Sequence, residues 1–292
     1  MKIQKNGQAI IVDCPAKINL FLESHGTRPD GYHELETVMQ AITLYDRLVL
    51  EPADGIELSC NDPSLPAGAG NLAHKAATLM LKEIGGRGVR IHLEKNIPAQ
   101  SGMGGGSSDA AGVIAGMNAL CGMGLDVDRM AKMGAAIGSD VPFFLYGGTA
   151  LCRGRGELVE RINVYFTISY VVCCPNVGLS TAEVYKKLDK IGLTTAQHGA
   201  TFLVESLKTH NFAGLNHSVF NRLGQVAAAL SVEVSTVMAA MREASGLNAT
   251  VTGSGSAVFV AVDSFSRAGE IAAELGKRNL GRVFVAQSER PS

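Results

Sequence analysis

Ile97-Pro98-Ala99-Gln100-Ser101-Gly102-Met103-Gly104-Gly105-Gly106-Ser107-Ser108-Asp109-Ala110-Ala111 decides how this chain is read. Residues 89–94 before it alternate apolar and polar side chains and predict a strand, and residues 107–120 after it predict a helix rich in small residues. Four glycines within five residues (Gly102, Gly104, Gly105 and Gly106) let the backbone approach a ligand and turn several N–H groups to one side. Ser107 and Ser108 are expected to cap the helix, whose amino end favours an anion through its dipole and its free N–H groups. Together these parts predict a phosphate cradle; the alternative is a glycine-rich turn packed tightly against a neighbouring helix. No Gly-Lys-Ser/Thr ends the run, so it is not a P-loop. Ser107 stands where the dinucleotide fingerprint has its last glycine, so that motif is absent too.

Glycine excess marks the same region. Of 34 glycines in 292 residues, fourteen fall between Gly102 and Gly156, so this stretch uses backbone where others use side chains. Gly112 and Gly116, four apart on the predicted helix, suit close packing, and Gly138 helps place Asp140. A net charge of −1, from 26 basic and 27 acidic residues, argues against a broad nucleic-acid surface, and 46% hydrophobic content argues against a disordered chain. No run of 18 apolar residues exists; the most apolar window, 134–151, is broken by Asp140 and Pro142. Six cysteines without C-x-x-C spacing, and no signal-peptide pattern, lead to the expectation of a cytoplasmic protein; a monomer or weak homodimer with no membrane or nucleic-acid partner is expected besides.

Elements of both periods alternate along the chain. Strands are predicted at 9–13, 17–22, 47–51, 56–60, 89–94 and 149–151, with helices at 71–84, 107–120 and 126–137; Asn71 is the expected cap of the first. Beyond about residue 161, strands are predicted at 168–174, 249–252, 257–262 and 282–286. Helices are predicted at 181–188, 200–208, 219–230, 232–244 and 264–276. The closing order β-α-α-β-β-α-β implies an antiparallel sheet backed by helices. The fold class is therefore α+β, in two domains of residues 1–160 and 161–292.

The glycine run resembles the phosphate-binding motif of the GHMP kinases, with Met103 in place of the commoner leucine. Two more segments carry the resemblance in the family's order: Pro15-Ala16-Lys17-Ile18-Asn19-Leu20 and Thr252-Gly253-Ser254-Gly255-Ser256-Ala257. It implies a two-domain fold, with an N-terminal half like ribosomal protein S5 domain 2 and a ferredoxin-like C-terminal half. It also implies ATP as phosphoryl donor, handled with Mg²⁺. No carboxylate cluster and no His-Glu-x-x-His marks a dedicated metal cage. Arg28-Pro29-Asp30-Gly31-Tyr32-His33-Glu34-Leu35 and Gly138-Ser139-Asp140-Val141-Pro142-Phe143-Phe144 resemble the branch of the family that phosphorylates a cytidine-diphosphate-linked methylerythritol at its 2-hydroxyl, in the non-mevalonate route to isoprenoid precursors.

Residue chemistry points the same way. Asp140 lies in an apolar stretch and Lys17 among Ala, Ile and Leu, so each charge is costly to bury alone and a Lys17–Asp140 pair relieves both costs. The resemblance implies Asp140 as base and Lys17 as its electrostatic partner; the alternative is a purely structural ion pair. It further implies that Gly102, Met103, Gly104, Gly105, Gly106, Ser107 and Ser108 hold phosphate, with Asn71, Leu72, Lys95 and Asp109 near adenine and ribose. Lys95 has a second reading as a solvated surface lysine. For the acceptor, Tyr32 and His33 would hold the cytosine, Tyr185 would stack on its other face, and Asn19 would touch the acceptor or its phosphates. Gly253 and Ser254 would close over it. Tyr185 as a core helix residue and Gly253–Gly255 as a packing turn are the alternatives there. Another GHMP kinase, acting on homoserine or mevalonate, and a non-catalytic ligand sensor on the same fold are the competing functions; a sensor has no need to keep both Lys17 and Asp140.

Overall fold

The computed structural model describes residues 1–84, 88–191 and 199–290. Pro291 and Ser292, which end the second expected domain, lie outside the described residues. The chain opens with β1 (Lys2–Asn6), β2 (Ala9–Thr27), β3 (His33–Ala53) and β4 (Ile56–Cys60). Helix α1 (Leu72–Ile84), β5 (Gly88–Glu94), α2 (Gly105–Cys121), α3 (Val127–Gly134) and α4 (Val141–Tyr146) follow, and then β6 (Thr149–Gly154) and β7 (Leu158–Ile162). The second half runs β8 (Ser169–Cys174), α5 (Thr181–Ile191), α6 (Gly199–Lys208), α7 (Phe212–Ser218), β9 (Phe220–Asn221), α8 (Arg222–Leu230) and α9 (Val232–Ser245). It ends with β10 (Thr250–Val251), β11 (Val258–Val262), α10 (Phe265–Lys277) and β12 (Arg282–Gln287).

Two sheets result, and the fold is α+β as expected. The first runs β1-β2-β3-β5-β4, with β6 pairing β3, β7 pairing β6, and β9 adding to β2 in parallel; the second is β10-β11-β8-β12, antiparallel throughout. The second sheet alternates cleanly. Val171, Cys173, Val258, Val260 and Val262 face α9 and α10, whereas Tyr170, Val172, Cys174, Phe259 and Ala261 face the first sheet. Strands β2 and β3 are therefore covered on both sides.

That double coverage places the site. On β2, Ile10, Val12 and Cys14 face the core under α2, but Ala16, Ile18 and Leu20 join the core shared with the second sheet. A register shift between Pro15 and Ala16 exchanges the faces. It turns the odd-numbered Lys17 and Asn19 toward the side that carries α2. Gly112 lets α2 lie against this strand, since a Cβ there would collide with Cys14 Sγ.

Several boundaries differ from expectation, each for a physical reason. Helix α2 begins at Gly105, not at Ser107. Its cap is Gly104 in the left-handed region at φ 73°, with no side-chain cap bond, so Ser107 and Ser108 lie inside the helix. Only the last part of β3 was expected, because residues 37–42 are buried on both faces and include Thr37 and Gln40, which erases the period-2 pattern. The short α4 sits within what reads as an apolar run. The second-half helix expected at 219–230 starts only at Arg222, because Phe220–Asn221 add a short strand to β2 and the Asn221 side chain then caps α8. Asn71 does cap α1, its Oδ1 accepting from the Ala73 N–H at 2.9 Å. No described helix is long and apolar enough to cross a membrane.

Candidate active site

A cavity of about 1020 Å³ lies where the glycine loop, β2, α4, α5 and the 252–255 loop meet. Every residue expected at the site lines it except Ser108. Ser108 is fully buried, its hydroxyl has no partner, and its N–H is spent on the Gly104 carbonyl at 2.9 Å. With its N–H spent and its buried hydroxyl off the cavity wall, Ser108 does not face the cradle. The correction follows from the earlier helix start, which makes Ser108 a first-turn residue turned toward the core.

The loop is held from both halves of the chain. Lys17 N–H donates to the Met103 carbonyl at 3.0 Å, and Ala257 N–H donates to the Ser101 carbonyl at 3.0 Å. Asn221 Nδ2 donates to the carbonyls of Val251 (2.6 Å) and Gly253 (2.8 Å) and so fixes the 252–255 loop. Thr181 and Ser254 hydroxyls meet at 2.8 Å. With Gly104 as the left-handed cap, the N–H groups opening α2 have no helical acceptor and are available to an anion.

Lys17 and Asp140 are brought together as expected: Nζ lies 3.7 Å from Asp140 Oδ2, with 5% and 29% of the two side chains exposed. Asp140 precedes α4, whose Val141, Phe143 and Phe144 anchor it in the core. Burial lowers the Lys17 pKa, and Asp140 acts against that shift. Asn19 lines the cavity and also holds Lys17. Its Oδ1 accepts from Lys17 Nζ at 2.6 Å and its Nδ2 donates to Thr37 Oγ1 at 2.8 Å, so its amide aims Lys17. Cys152, buried beside the pair, is pushed well above its ordinary pKa, first by burial and then by Asp140, and stays a thiol.

Lys95 lines the cavity and is not a solvated lysine. Its ammonium joins Asp46 and Asp109, the latter at 2.8 Å, beneath the start of α2. Asp46 Oδ1 in turn accepts from the N–H groups of Asn96 (2.6 Å) and Ile97 (2.9 Å), which tethers the run into the glycine loop. Burial pushes the Asp109 carboxyl up, to about 7, against the pull of Lys95. Its Oδ1 is buried without a partner. A folded-state pKa above the unfolded one means that the folded chain prefers protonated Asp109, so the associated stability is lost as pH rises through about 7. Urea unfolding at pH 5 and pH 8 is expected to show lower stability at pH 8 in the parent chain and a smaller difference in Asp109→Asn; equal pH dependence in both would refute this.

At the other end of the cavity, Tyr32 is half exposed, with the Arg155 guanidinium 4.7 Å from its ring centre. The His33 and Tyr185 rings lie 4.5 Å apart at 31°, and His33 Nε2 meets Asp189 Oδ1 at 2.8 Å. Tyr185 thus packs, tilted, on His33 while also lining the cavity. Sequence reasoning missed Arg155, Lys186 and Asp189, which also line the cavity. Position on α5 could have found the last two: Asp189 stands four residues after Tyr185 and three after Lys186, on the face they share with it. Arg155, on a turn between β6 and β7, carried no such signal. Asn71 lines the cavity, but its amide is committed to the α1 cap and to the Pro66 carbonyl at 3.0 Å. Among the described residues, no group of three or more His, Cys, Asp or Glu side chains can hold a metal ion.

A glycine loop at a helix start and a partly buried Lys–Asp pair lining one cavity form the arrangement of a small-molecule phosphotransferase site. Residues 71–148 match the GHMP kinases N terminal domain and residues 203–280 the GHMP kinases C terminal domain. The chain belongs to the GHMP kinase family. It is 39% identical over 279 residues to a 4-diphosphocytidyl-2-C-methyl-D-erythritol kinase of Pelotomaculum thermopropionicum, covering 94% of this chain and 96% of that protein. The enzyme of that name from Syntrophomonas wolfei is 39% identical over 251 residues, covering 85% and 88%. A solved 4-(cytidine 5'-diphospho)-2C-methyl-D-erythritol kinase superposes with a TM-score of 0.82 at 34% identity, over 96% of this chain and all of that one. A homoserine kinase from Cytophaga hutchinsonii has the same fold, with a TM-score of 0.79 at 21% identity over 100% and 98% of the two chains.

Proposed function

We propose that the chain transfers the γ-phosphoryl group of ATP to the 2-hydroxyl of 4-diphosphocytidyl-2-C-methyl-D-erythritol, a step toward isoprenoid precursors. The observation that carries this reading is the Lys17–Asp140 pair in the same cavity as the Gly102–Ser107 loop. Asp140 takes the proton of the acceptor hydroxyl as its oxygen bonds to the γ-phosphorus, and the bond to the β-phosphate oxygen breaks to release ADP. Lys17, aimed by Asn19, offsets the charge on the phosphoryl group in transfer. Gly102, Met103, Gly104, Gly105, Gly106 and Ser107 hold the phosphates through backbone N–H groups and the start of α2.

The nucleotide fits the residues present. The unpartnered Asp109 Oδ1 offers an acceptor to a ribose hydroxyl or the adenine amine, with Leu72 and Lys95 beside it. Mg²⁺ carried on the nucleotide phosphates would supply charge neutralisation there. Tyr32, His33 and Tyr185 form the base subsite, and Arg155 and Lys186 bring positive charge toward the linked diphosphate. Gly253 and Ser254, held by Asn221 and Thr181, border the transfer region. A monomer or weak homodimer is the state proposed, and six free cysteines suit the cytoplasm. The proposed division at 160/161 falls within β7, just before the change of sheet between Ile162, in the first sheet, and Ser169, in the second.

Release of ADP from ATP and Mg²⁺ is expected with the cytidylyl acceptor and not with homoserine or mevalonate; turnover of homoserine alone would overturn the reading. Tyr32→Ala is expected to raise the KM for the cytidylyl acceptor about tenfold or more, with the KM for ATP unmoved. An unchanged acceptor KM would remove Tyr32 from the site.

A further inference from the structure

We propose that Asp189 is a positioning residue that fixes the tautomer of His33 and so makes the base subsite select an exocyclic amine over a carbonyl, admitting a cytidine-linked acceptor and rejecting its uridine counterpart. The proposal rests on the reading of Tyr32, His33 and Tyr185 as the base subsite.

Hydrogen-bond capacity carries the argument. Asp189 Oδ1 lies 2.8 Å from His33 Nε2. A carboxylate only accepts, so Nε2 must carry the proton. A neutral imidazole has one ring proton, which leaves Nδ1 with a lone pair. Asp189 is the hydrogen-bond partner of the ring among the described residues, so Nδ1 keeps its acceptor capacity. The ring is also fixed in orientation. Tyr185 covers it at 4.5 Å, and only 11% of the His33 side chain is exposed. Tyr185 and Asp189 stand four residues apart on α5, so one helical face supplies both contacts.

A ring acceptor in this position pairs with the amine at C4 of cytosine. Uracil carries a carbonyl oxygen there, and two lone pairs then face each other in a partly desolvated site. Losing Asp189 frees the imidazole to move its proton to Nδ1, which tolerates the carbonyl. Asp189 itself is about half exposed, at 52% of its side chain, so its bond adds little to stability. Its effect is on which nitrogen holds the proton, as with the carboxylates that set the tautomer of metal-binding histidines.

The test compares kcat/KM for cytidine- and uridine-diphosphate-linked methylerythritol in the parent chain, Asp189→Asn and Tyr32→Ala, with ¹⁵N NMR of His33 in the free proteins. The parent is expected to show the Nε2–H form and to prefer the cytidine acceptor about a hundredfold. Asp189→Asn, whose amide can face either way, is expected to show a mixture of tautomers. Its preference falls about tenfold or more, with the change in KM exceeding the change in kcat. A preference unchanged in Asp189→Asn, while Tyr32→Ala raises the acceptor KM, overturns the proposal and leaves the base subsite standing. An Nδ1–H tautomer in the parent also overturns it. An acceptor KM unmoved by Tyr32→Ala overturns the subsite itself.

Discussion

Asp140→Asn is expected to lower kcat by about three orders of magnitude while the affinity for ATP stays within about twofold. Asparagine keeps the size and shape of the side chain, so the anchoring of α4 by Val141, Phe143 and Phe144 is untouched. What it removes is the acceptor for the hydroxyl proton and the partner of Lys17 at 3.7 Å. The glycine loop draws on neither, because it is held by the backbone N–H groups of Lys17 and Ala257 and by the Thr252 hydroxyl. Stopped-flow or coupled-assay turnover with nucleotide binding by calorimetry separates the two effects. A fall in kcat below about tenfold would mean that Asp140 serves the ion pair alone.

Gly102→Ala is expected to cost about 3 kcal/mol or more in stability and to abolish tight ATP binding. Gly102 has φ 78°, a conformation that L side chains rarely adopt. A Cβ there would run into the Thr252 carbonyl oxygen, well inside contact distance, and would stand 3.1 Å from Gly255 N. Both obstacles are backbone from the second half of the chain, so no rotamer change relieves them. The two halves must separate locally, and the loop that would hold phosphate moves with them. Gly106→Ala is the control for stability: its Cβ meets only Leu72 Cδ1, at an ordinary 3.6 Å, and it lies within α2. Thermal unfolding is expected to fall by roughly 6–10 °C for Gly102→Ala and to stay near the parent for Gly106→Ala. Equal melting temperatures would show that the loop is not clamped by the 252–255 segment.

Local chemistry was legible in the sequence wherever the reason for a residue is itself local. A glycine run between a strand and a helix needs no tertiary context to mark an anion site. Burial costs were enough to pair Lys17 with Asp140 across more than a hundred positions. The antiparallel second sheet was legible from the order of its elements, β-α-α-β-β-α-β, although β8 and β11 are buried on both faces. What stayed hidden depends on groups assembled from afar. The N-cap of α2 was misread because serine is the better cap by propensity, whereas the left-handed turn at Gly104 starts the helix earlier. Residues 37–42 of β3 lost their alternation because the second sheet covers the other face. Asp46 reads as one more charge after Tyr45 until β3 is laid beside Lys95 and α2. Asp189 and Arg155 likewise gain meaning only from the aromatic rings that the fold brings to them.

A crystal structure of the chain with a non-hydrolysable ATP analogue, Mg²⁺ and 4-diphosphocytidyl-2-C-methyl-D-erythritol tests the central claim most directly. The γ-phosphate is expected against the backbone of Gly104–Ser107, with the 2-hydroxyl of the acceptor in hydrogen-bond reach of Asp140 and the cytosine beside Tyr32 and His33. A hydroxyl bound away from Asp140, or a base seated outside the Tyr32–His33–Tyr185 cluster, would contradict the account.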